Sequence, residues 1–284
     1  MPTLDEVGQR LLRDAHLAPS VAGACQQALT QPGHLFSASP RWARLFLAWI
    51  DALAPDVGER ALPAAVACEC LAAGFDLIDD VHDRASAPIT PYAPADPNDA
   101  LAAGVTLLLV AQEAVAYVDL PAAQRERARA ALGRASRRVV AAQAWDDTLR
   151  RLPTATQAEA LAILHRRSGT LVAAPCHCAA LLAGTPWRVV ALAGRFGRAL
   201  GCAAQLEDDL ADLAEDAQNG RKTLPIILAR LYPDAPEMVE ATTWVLMQRF
   251  AREAAQTLRR LPAHIRTEPL WTLLPATARA SLLS

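Results

Sequence analysis

An acidic segment near residue 205, whose charged residues recur with the period of a helix, constrains this chain more than any other part of the sequence. Spacings of i, i+3, i+4, i+7 and i+11 relate one glutamine and four aspartates: Gln205, Asp208, Asp209, Asp212 and Asp216. Such spacing places all five side chains on one face of a helix. The intervening positions are mostly Leu and Ala. Taken alone, the segment is as typical of a solvated helix face as of a binding site.

A second acidic segment, more than a hundred residues earlier, favours the binding site. It follows the same spacing directly after the largely apolar residues 68–75: Asp76, Asp79, Asp80 and Asp83. Two acidic faces on packed helices would repel each other without compensating charge. Mg²⁺ binds carboxylate oxygens and commonly bridges one or two carboxylates to substrate phosphates. The two segments together therefore predict a Mg²⁺ cluster that holds a polyphosphate ester.

Composition bounds the class of protein. The chain has 284 residues and a net charge of −2, and no linker or charge block divides it. We predict a single domain over residues 1–284 and, since there is no basic stripe, no nucleic-acid partner.

The six cysteines lack zinc-type spacing, which favours core residues in a reducing compartment. No signal-peptide pattern is visible, and the apolar run 100–111 is shorter than a membrane span. We expect a cytoplasmic protein without a membrane span.

The sequence indicates helices almost throughout. Ala, Leu and Arg dominate, and these residues favour helices. Aromatic residues make up only 5%, and no sustained run alternates with the period of a strand. We predict an all-α fold of roughly ten to twelve helices, which include helices over residues 63–83, 121–152, 186–219 and 265–282. An apolar pocket between helices would hold a hydrocarbon tail, with its charged head at the acidic mouth.

These motifs resemble those of the trans-isoprenyl diphosphate synthases, the polyprenyl synthetase family, over about residues 40–230. The first acidic segment is similar to the family's Asp-Asp-x-x-Asp motif at residues 79–83, and the second to its counterpart at residues 205–212. Ala142-Gln143-x-x-Asp146 resembles the family's Gly-Gln-x-x-Asp helix. Arg167-Ser168-Gly169 stands where the family usually has Lys-Thr-Gly.

The resemblance implies the isoprenoid synthase fold, a single large helical bundle, and a homodimer. It implies that six aspartates bind Mg²⁺ and carry the catalysis: Asp79, Asp80, Asp83, Asp208, Asp209 and Asp212. The metal would draw charge onto the diphosphate of an allylic prenyl substrate, so that its C–O bond ionises. Substrate-binding residues are expected to be Phe75, Gln143, Arg167, Gln205, Arg221 and Lys222. The three cations would neutralise the diphosphate, although two of them, Arg221 and Lys222, also fit the C-terminal end of a helix.

Two departures from the family pattern bear on the reaction. Chain-elongating members carry Gly-Gly-Lys-Arg-x-Arg-Pro, which binds isopentenyl diphosphate, where residues 37–44 of this chain have only Arg41 and Arg44. They also carry Arg-Arg-Gly-x-Pro-Thr, where residues 84–91 hold a single arginine. Losing several cations should weaken binding of a second diphosphate by roughly a few kcal/mol. We therefore expect a terpene synthase-type enzyme that ionises one prenyl diphosphate and cyclises or quenches the cation.

Three alternatives stay open at this point. The first is a chain-elongating prenyl diphosphate synthase, in which Arg41, Arg44 and Arg167 supply the missing charge and Phe75, four residues before Asp79, limits product length. The second is prenyl transfer to an acceptor other than isopentenyl diphosphate. The third is a non-catalytic synthase subunit, which the two complete aspartate motifs disfavour. The sequence determines neither the length of the prenyl chain nor the product skeleton.

Overall fold

The computed structural model describes residues 2–84 and 96–274, apart from the side chains of Asp83 and Arg84. Every regular element in these ranges is helical, so the predicted all-α fold is confirmed. Twelve helices of six residues or more and one of four occur in the described residues: α1 Leu4–Asp14, α2 Pro19–Leu29, α3 Arg41–Leu53, α4 Leu62–Arg84, α5 Pro97–Ala114, α6 Ala122–Arg150, α7 Gln157–Arg166, α8 Ser168–Leu182, α9 Trp187–Ala211, α10 Leu213–Gln218, α11 Leu224–Leu231, α12 Pro236–Arg259 and α13 Glu268–Trp271.

Residue contacts divide the chain into two compact units. The first unit comprises Met1–Gly133 and Pro175–Val190, and the second comprises Arg134–Ala174 and Ala191–Ser284. Helices α6, α8 and α9 contribute residues to both units. The prediction of a single domain over residues 1–284 stays a prediction.

The first unit is built around α4, which is buried along most of its length and packs along α5. Two glycines allow the helices to approach closely, since a Cβ atom on Gly74 would lie 2.9 Å from the carbonyl oxygen of Gly104. The reverse distance, from a Cβ on Gly104 to the oxygen of Gly74, would be 3.0 Å. Tight packing of α4 therefore fixes the position of the first acidic segment, which occupies its C-terminal turns.

The second unit packs α7, α9, α11 and α12 around one apolar cluster. Its largest buried members come from all four helices: Leu164, Leu206, Leu224, Ile227, Leu228 and Phe250. The start of α7 is fixed by a capping box, in which Thr156 and Glu159 exchange side-chain and backbone hydrogen bonds. The same cluster fixes the C-terminal half of α9, which carries the start of the second acidic segment.

Two predicted helices have different bounds in the structure. The helix predicted over 186–219 is interrupted at Asp212, so α9 ends at Ala211 and α10 begins at Leu213. Hydrogen bonds from Asp212 N to Asp208 O and from Asp216 N to Asp212 O still cross the interruption. The helix predicted over 265–282 is wrong for the described residues, where only Glu268–Trp271 is helical. Pro269 lacks an N–H group and fits only a first helical turn, and residues 275–282 lie outside the described residues.

Two helical stretches among the described residues, Glu59–His82 and Pro97–Tyr117, have the length and composition of a membrane span. In the most apolar part of the first, 83% of the residues are buried inside the protein, as in the core helix of a globular domain. The corresponding fraction in the second is 44%. Such a test is weak for one or two helices, so the absence of a membrane span stays a prediction.

Candidate active site

In the second unit, a hydrogen-bonded chain links the start of α8 to the second acidic segment on α9. Ser168 Oγ donates to Gln205 Oε1 at 2.7 Å, and Gln205 Nε2 donates to Asp209 Oδ1 at 2.9 Å. The Gln205 amide is thereby fixed in one orientation, because it accepts from one partner and donates to the other. Gln205 thus positions Asp209, one turn farther along α9.

An ion-pair group lies beside this chain. Arg167, at the junction of α7 and α8, places its guanidinium 3.6 Å from Asp146 Oδ2. Arg150 shares the same carboxylate oxygen at 3.4 Å. All three side chains are mostly buried, with at most 22% exposed. Two cations around one carboxylate leave local positive charge, as a binding site for an anion requires.

The segment after α10 adds further cations. Lys222 is 8% exposed, and burial, together with the charge of Arg230, lowers its pKa. Arg221 Nε lies 3.3 Å from Asp216 Oδ1, so Arg221 pairs with the last member of the acidic segment. Burial raises the pKa of Asp216 against the lowering effect of Arg221 and Thr223.

These groups surround one small cavity, of about 40 Å³, within the second unit. Its polar lining combines two carboxylates, three cations, two hydroxyls and one amide: Asp146, Asp209, Arg167, Arg221, Lys222, Ser168, Thr223 and Gln205. This volume holds water molecules but not a diphosphate group. A diphosphate therefore fits only if lining side chains move, and the long side chains of Arg167 and Lys222 are able to do so.

The aspartates of the second segment differ in their surroundings. Asp208 and Asp212 are exposed, whereas Asp209 is partly buried. The pKa of Asp209 is raised to about 7, mainly by burial. The charges of Asp216 and Asp208 also raise it, whereas the hydrogen bond from Gln205 and the charge of Arg167 lower it. No group of three His, Cys, Asp or Glu side chains that could hold a metal occurs within the described part of the chain. The assignment of these aspartates as metal ligands stays a prediction.

The remaining predicted residues lie as follows. Asp79 and Asp80 are partly buried near the end of α4, and the side chain of Asp83 lies outside the described residues. Phe75 is 8% exposed, one turn before Asp79. Gln143 Nε2 donates to Asp147 Oδ1 at 3.4 Å and is not among the residues that line the 40 Å³ cavity.

Sequence reasoning missed a charged group in the first unit. His34 Nε2 lies 3.0 Å from Asp76 Oδ2, and His34 Nδ1 lies 3.6 Å from Glu69 Oε2. Glu69 is fully buried and accepts from Ala43 N at 2.8 Å, which satisfies one of the unpaired N–H groups at the start of α3. Burial lowers the pKa of His34, but the contact with Asp76 at 3.0 Å and the nearby charge of Glu69 outweigh it and raise the pKa to about 9. No local pattern marks His34, since its partners lie 35 and 42 positions away.

Comparison with known proteins decides the family. The model of the polyprenyl synthetase family matches residues 28–256. The chain belongs to the polyprenyl synthetase family. The matched range contains both acidic segments and every other residue assigned above to substrate binding, so the sequence-based resemblance is confirmed.

Relatives and solved structures agree with this membership. A (2E,6E)-farnesyl diphosphate synthase of Mycobacterium bovis is 30% identical over 244 residues, which cover 79% of this chain and 66% of that protein. The geranylgeranyl pyrophosphate synthetase of Geoglobus acetivorans has a TM-score of 0.77 at 19% identity, covering 99% of this chain and 97% of its own. A polyprenyl synthase of Caulobacter crescentus, complexed with calcium and isoprenyl diphosphate, has a TM-score of 0.76 at 20% identity, covering 92% and 93%. The isoprenoid synthase fold is therefore confirmed.

The expectation of a terpene synthase-type reaction is wrong. The relatives are named for farnesyl and geranylgeranyl diphosphate synthesis, which is chain elongation, and the family model is that of polyprenyl synthetases. The alternative of a chain-elongating enzyme is the better reading. The error came from treating the loss of cations at residues 37–44 and 84–91 as diagnostic of cyclisation. Residues 85–91 lie outside the described residues.

Proposed function

We propose that this chain is a prenyltransferase that elongates an allylic prenyl diphosphate with isopentenyl diphosphate. The observation that carries the proposal is the cavity in the second unit, whose lining combines cations and carboxylates, within a chain that belongs to the polyprenyl synthetase family. In the reaction, the allylic C–O bond breaks and diphosphate leaves. A new C–C bond joins the allylic carbon to the alkene of isopentenyl diphosphate, and a proton is lost.

The cavity residues have separable roles in this proposal. Arg167 and Lys222 bind the diphosphate of the allylic substrate, because both are long cations held at the cavity wall. Gln205 orients Asp209 through the hydrogen bond at 2.9 Å. Asp146 holds Arg167 in place through the contact at 3.6 Å, and is therefore a positioning residue.

We also propose Mg²⁺ as the metal. The aspartates of both segments offer only carboxylate oxygens, which hard divalent cations prefer to nitrogen or sulfur ligands. In the first unit Asp79, Asp80 and Asp83 would hold Mg²⁺, and in the second unit Asp208, Asp209 and Asp212 would do so. When bound, Mg²⁺ would stabilise the negative charge that develops on the departing diphosphate.

Elongation requires a binding site for a second diphosphate, and α3 offers two arginines for it. Arg41 and Arg44 are exposed near the start of this helix. Arg44 is ordered by a 2.8 Å hydrogen bond to Ser39 Oγ. The Arg41 side chain packs over Gly33, where a Cβ atom would lie 2.7 Å from Arg41 Nε. We propose that these two guanidiniums bind isopentenyl diphosphate.

A homodimer in the cytoplasm completes the proposal. Along α5, Leu101, Val105 and Leu109 are 43%, 46% and 59% exposed. Their i, i+4, i+8 spacing forms one apolar stripe, a feature typical of protein interfaces. Six buried cysteines are all free, which supports a reducing compartment.

The test of this function is the dependence of diphosphate release on isopentenyl diphosphate. Purified protein with Mg²⁺ and geranyl diphosphate should release diphosphate only when isopentenyl diphosphate is added. Asp209→Asn should abolish the release, and exposed Asp56→Asn in the first unit serves as the control. Release at the same rate without isopentenyl diphosphate would contradict chain elongation.

A further inference from the structure

A second cavity in the second unit has no role in the proposed reaction. It measures about 690 Å³, within the ~300–1,000 Å³ range of small-molecule sites. Its wall is formed by α6, the last turn of α7, and the facing turns of α8 and α9. Its polar and aromatic lining residues define what we call the basic pocket: Arg138, Trp145, His165, Arg166, Thr170 and Arg198.

The charge of the basic pocket is not neutralised from within. The lining contains three arginines and no acidic residue. Within residues 2–84 and 96–274, none of these three guanidiniums lies within ion-pair distance of a carboxylate. Their neighbours behave differently: Arg150 and Arg167 share Asp146, and Arg195 pairs with Glu253 at 2.7 Å. Uncompensated guanidiniums around a cavity favour binding of an anion.

Packing contacts support two of the three arginines of the basic pocket. The Arg166 guanidinium lies 5.0 Å from the centre of the Trp145 ring, a stabilising cation–π distance. The stem of Arg198 packs against the start of α8, where a Cβ atom on Gly169 would lie 2.9 Å from Arg198 Cγ.

His165 is held from two sides. Its ring meets Phe250 edge to face at 5.2 Å between centres, and its Nδ1 lies 3.4 Å from Cys202 Sγ. Burial and the charge of Arg198 lower the pKa of His165, against a smaller opposite effect of Glu253. At neutral pH the imidazole is therefore uncharged, and the positive charge of the pocket belongs to the arginines.

We propose that the basic pocket is a second anion-binding site, distinct from the 40 Å³ cavity, and that it binds a diphosphate group without a metal. Guanidinium groups donate paired hydrogen bonds that match phosphate oxygens, and three of them suit a ligand with more than one phosphate. Two sources share this chemistry: free inorganic diphosphate and the head group of a prenyl diphosphate. The choice of these two sources rests on the proposed function, whereas the proposal that the basic pocket binds a diphosphate group does not.

The basic pocket lies next to the 40 Å³ cavity along the chain. Arg166 lines the basic pocket, and the next residue, Arg167, lines the 40 Å³ cavity. The junction of α7 and α8 between them has non-helical backbone angles at Arg167. The basic pocket and the 40 Å³ cavity are therefore lined by adjacent residues at this junction.

The experiment is calorimetric titration in EDTA, with separate titrations of inorganic diphosphate, geranyl diphosphate and inorganic phosphate at one ionic strength. Diphosphate should bind, and the double variant Arg138→Gln/Arg198→Gln should bind it at least about tenfold more weakly. Arg137→Gln, on an exposed neighbouring position of α6, is the matched control and should bind as the wild type does. Circular dichroism verifies that each variant is folded.

Each outcome decides the proposal or the source of the ligand. Equal affinity for the free and esterified diphosphates would support the free anion as ligand, and tighter binding of geranyl diphosphate would support the ester. No metal-free binding, an unchanged affinity in the double variant, or equal binding of inorganic phosphate would overturn the proposal. A tryptophan fluorescence change on binding that disappears in Trp145→Phe would support it independently. Failure of chain elongation with intact metal-free binding would refute the proposed function alone.

Discussion

Removing the Arg167 guanidinium should separate substrate binding from folding stability. In Arg167→Gln, Asp146 keeps its contact with Arg150 at 3.4 Å, so the carboxylate is not left without a cation. The loss of folding stability should therefore stay below the ~3–5 kcal/mol that follows when a buried pair loses one partner and the other charge is left uncompensated. A diphosphate bound at the 40 Å³ cavity would lose a charge-assisted hydrogen bond, worth about 1.5–3 kcal/mol. At about 1.4 kcal/mol per factor of ten, the KM for geranyl diphosphate should rise by roughly 10- to 150-fold.

The variant also predicts a change that a purely structural role would not produce. The charge of Arg167 lowers the pKa of Asp209, which is raised overall to about 7. Its removal should therefore raise that pKa further. A metal ligand must lose its proton, so Mg²⁺ activation should weaken as the pH falls below about 7 in the wild type, and should begin to weaken at a higher pH in Arg167→Gln.

The assay is steady-state kinetics with varied geranyl diphosphate and Mg²⁺ between pH 6 and 9, together with thermal unfolding. Arg151→Gln, an exposed arginine just after α6, is the control and should show neither effect. An unchanged KM in Arg167→Gln, or an equal rise in Arg151→Gln, would refute the role of Arg167 in substrate binding.

Three other predictions follow from the first unit. The pKa of His34 is about 9 in the folded protein, against an ordinary value of 6.5. The stability that the raised pKa contributes is therefore complete below pH 6.5 and is lost as the pH rises through about 9. His34→Asn should lower the free energy of unfolding by about 1–2 kcal/mol at pH 6, a value already reduced because Asp76 is exposed, and by much less at pH 10. Urea unfolding at both pH values measures this difference, and the exposed His264→Asn control should show none. Gly74→Ala should destabilise the folded protein by about 1–3 kcal/mol, because the new Cβ atom would lie 2.9 Å from the carbonyl oxygen of Gly104. The exposed Gly220→Asn variant is the reference, and an unchanged unfolding temperature in Gly74→Ala would contradict the close approach of α4 and α5. Phe75→Ala should lengthen the products detected by mass spectrometry, and identical product lengths would remove Phe75 from the tail pocket.

The sequence predicts those features that repeat locally. Helical periodicity located α4 and the C-terminal half of α9, since their apolar positions recur at the helical period. The ordered motifs identified the family and predicted that Arg167, Gln205 and Asp209 belong to one site. All three line the 40 Å³ cavity, and their role in substrate or metal binding stays a prediction. The interruption at Asp212 was not predicted, because an aspartate in a helical pattern reads the same whether or not the helix continues.

Long-range contacts account for what the sequence did not predict. His34 meets Glu69 and Asp76 only because α4 packs beside the segment before α3, and neither partner has a fixed spacing from His34. The basic pocket collects one or two of its defining residues from each of four helices, and these residues form no motif. The wrong expectation of cyclisation has a related cause: counting cations at residues 37–44 says nothing about cations that the fold supplies from elsewhere.

Product analysis tests the central claim most directly. Purified protein with Mg²⁺ receives geranyl diphosphate with and without isotope-labelled isopentenyl diphosphate, and the products are identified by mass spectrometry. Chain elongation predicts a labelled prenyl diphosphate longer by at least one isoprene unit, formed only with the labelled co-substrate and lost on addition of EDTA. An unlabelled hydrocarbon or alcohol formed without isopentenyl diphosphate would contradict it.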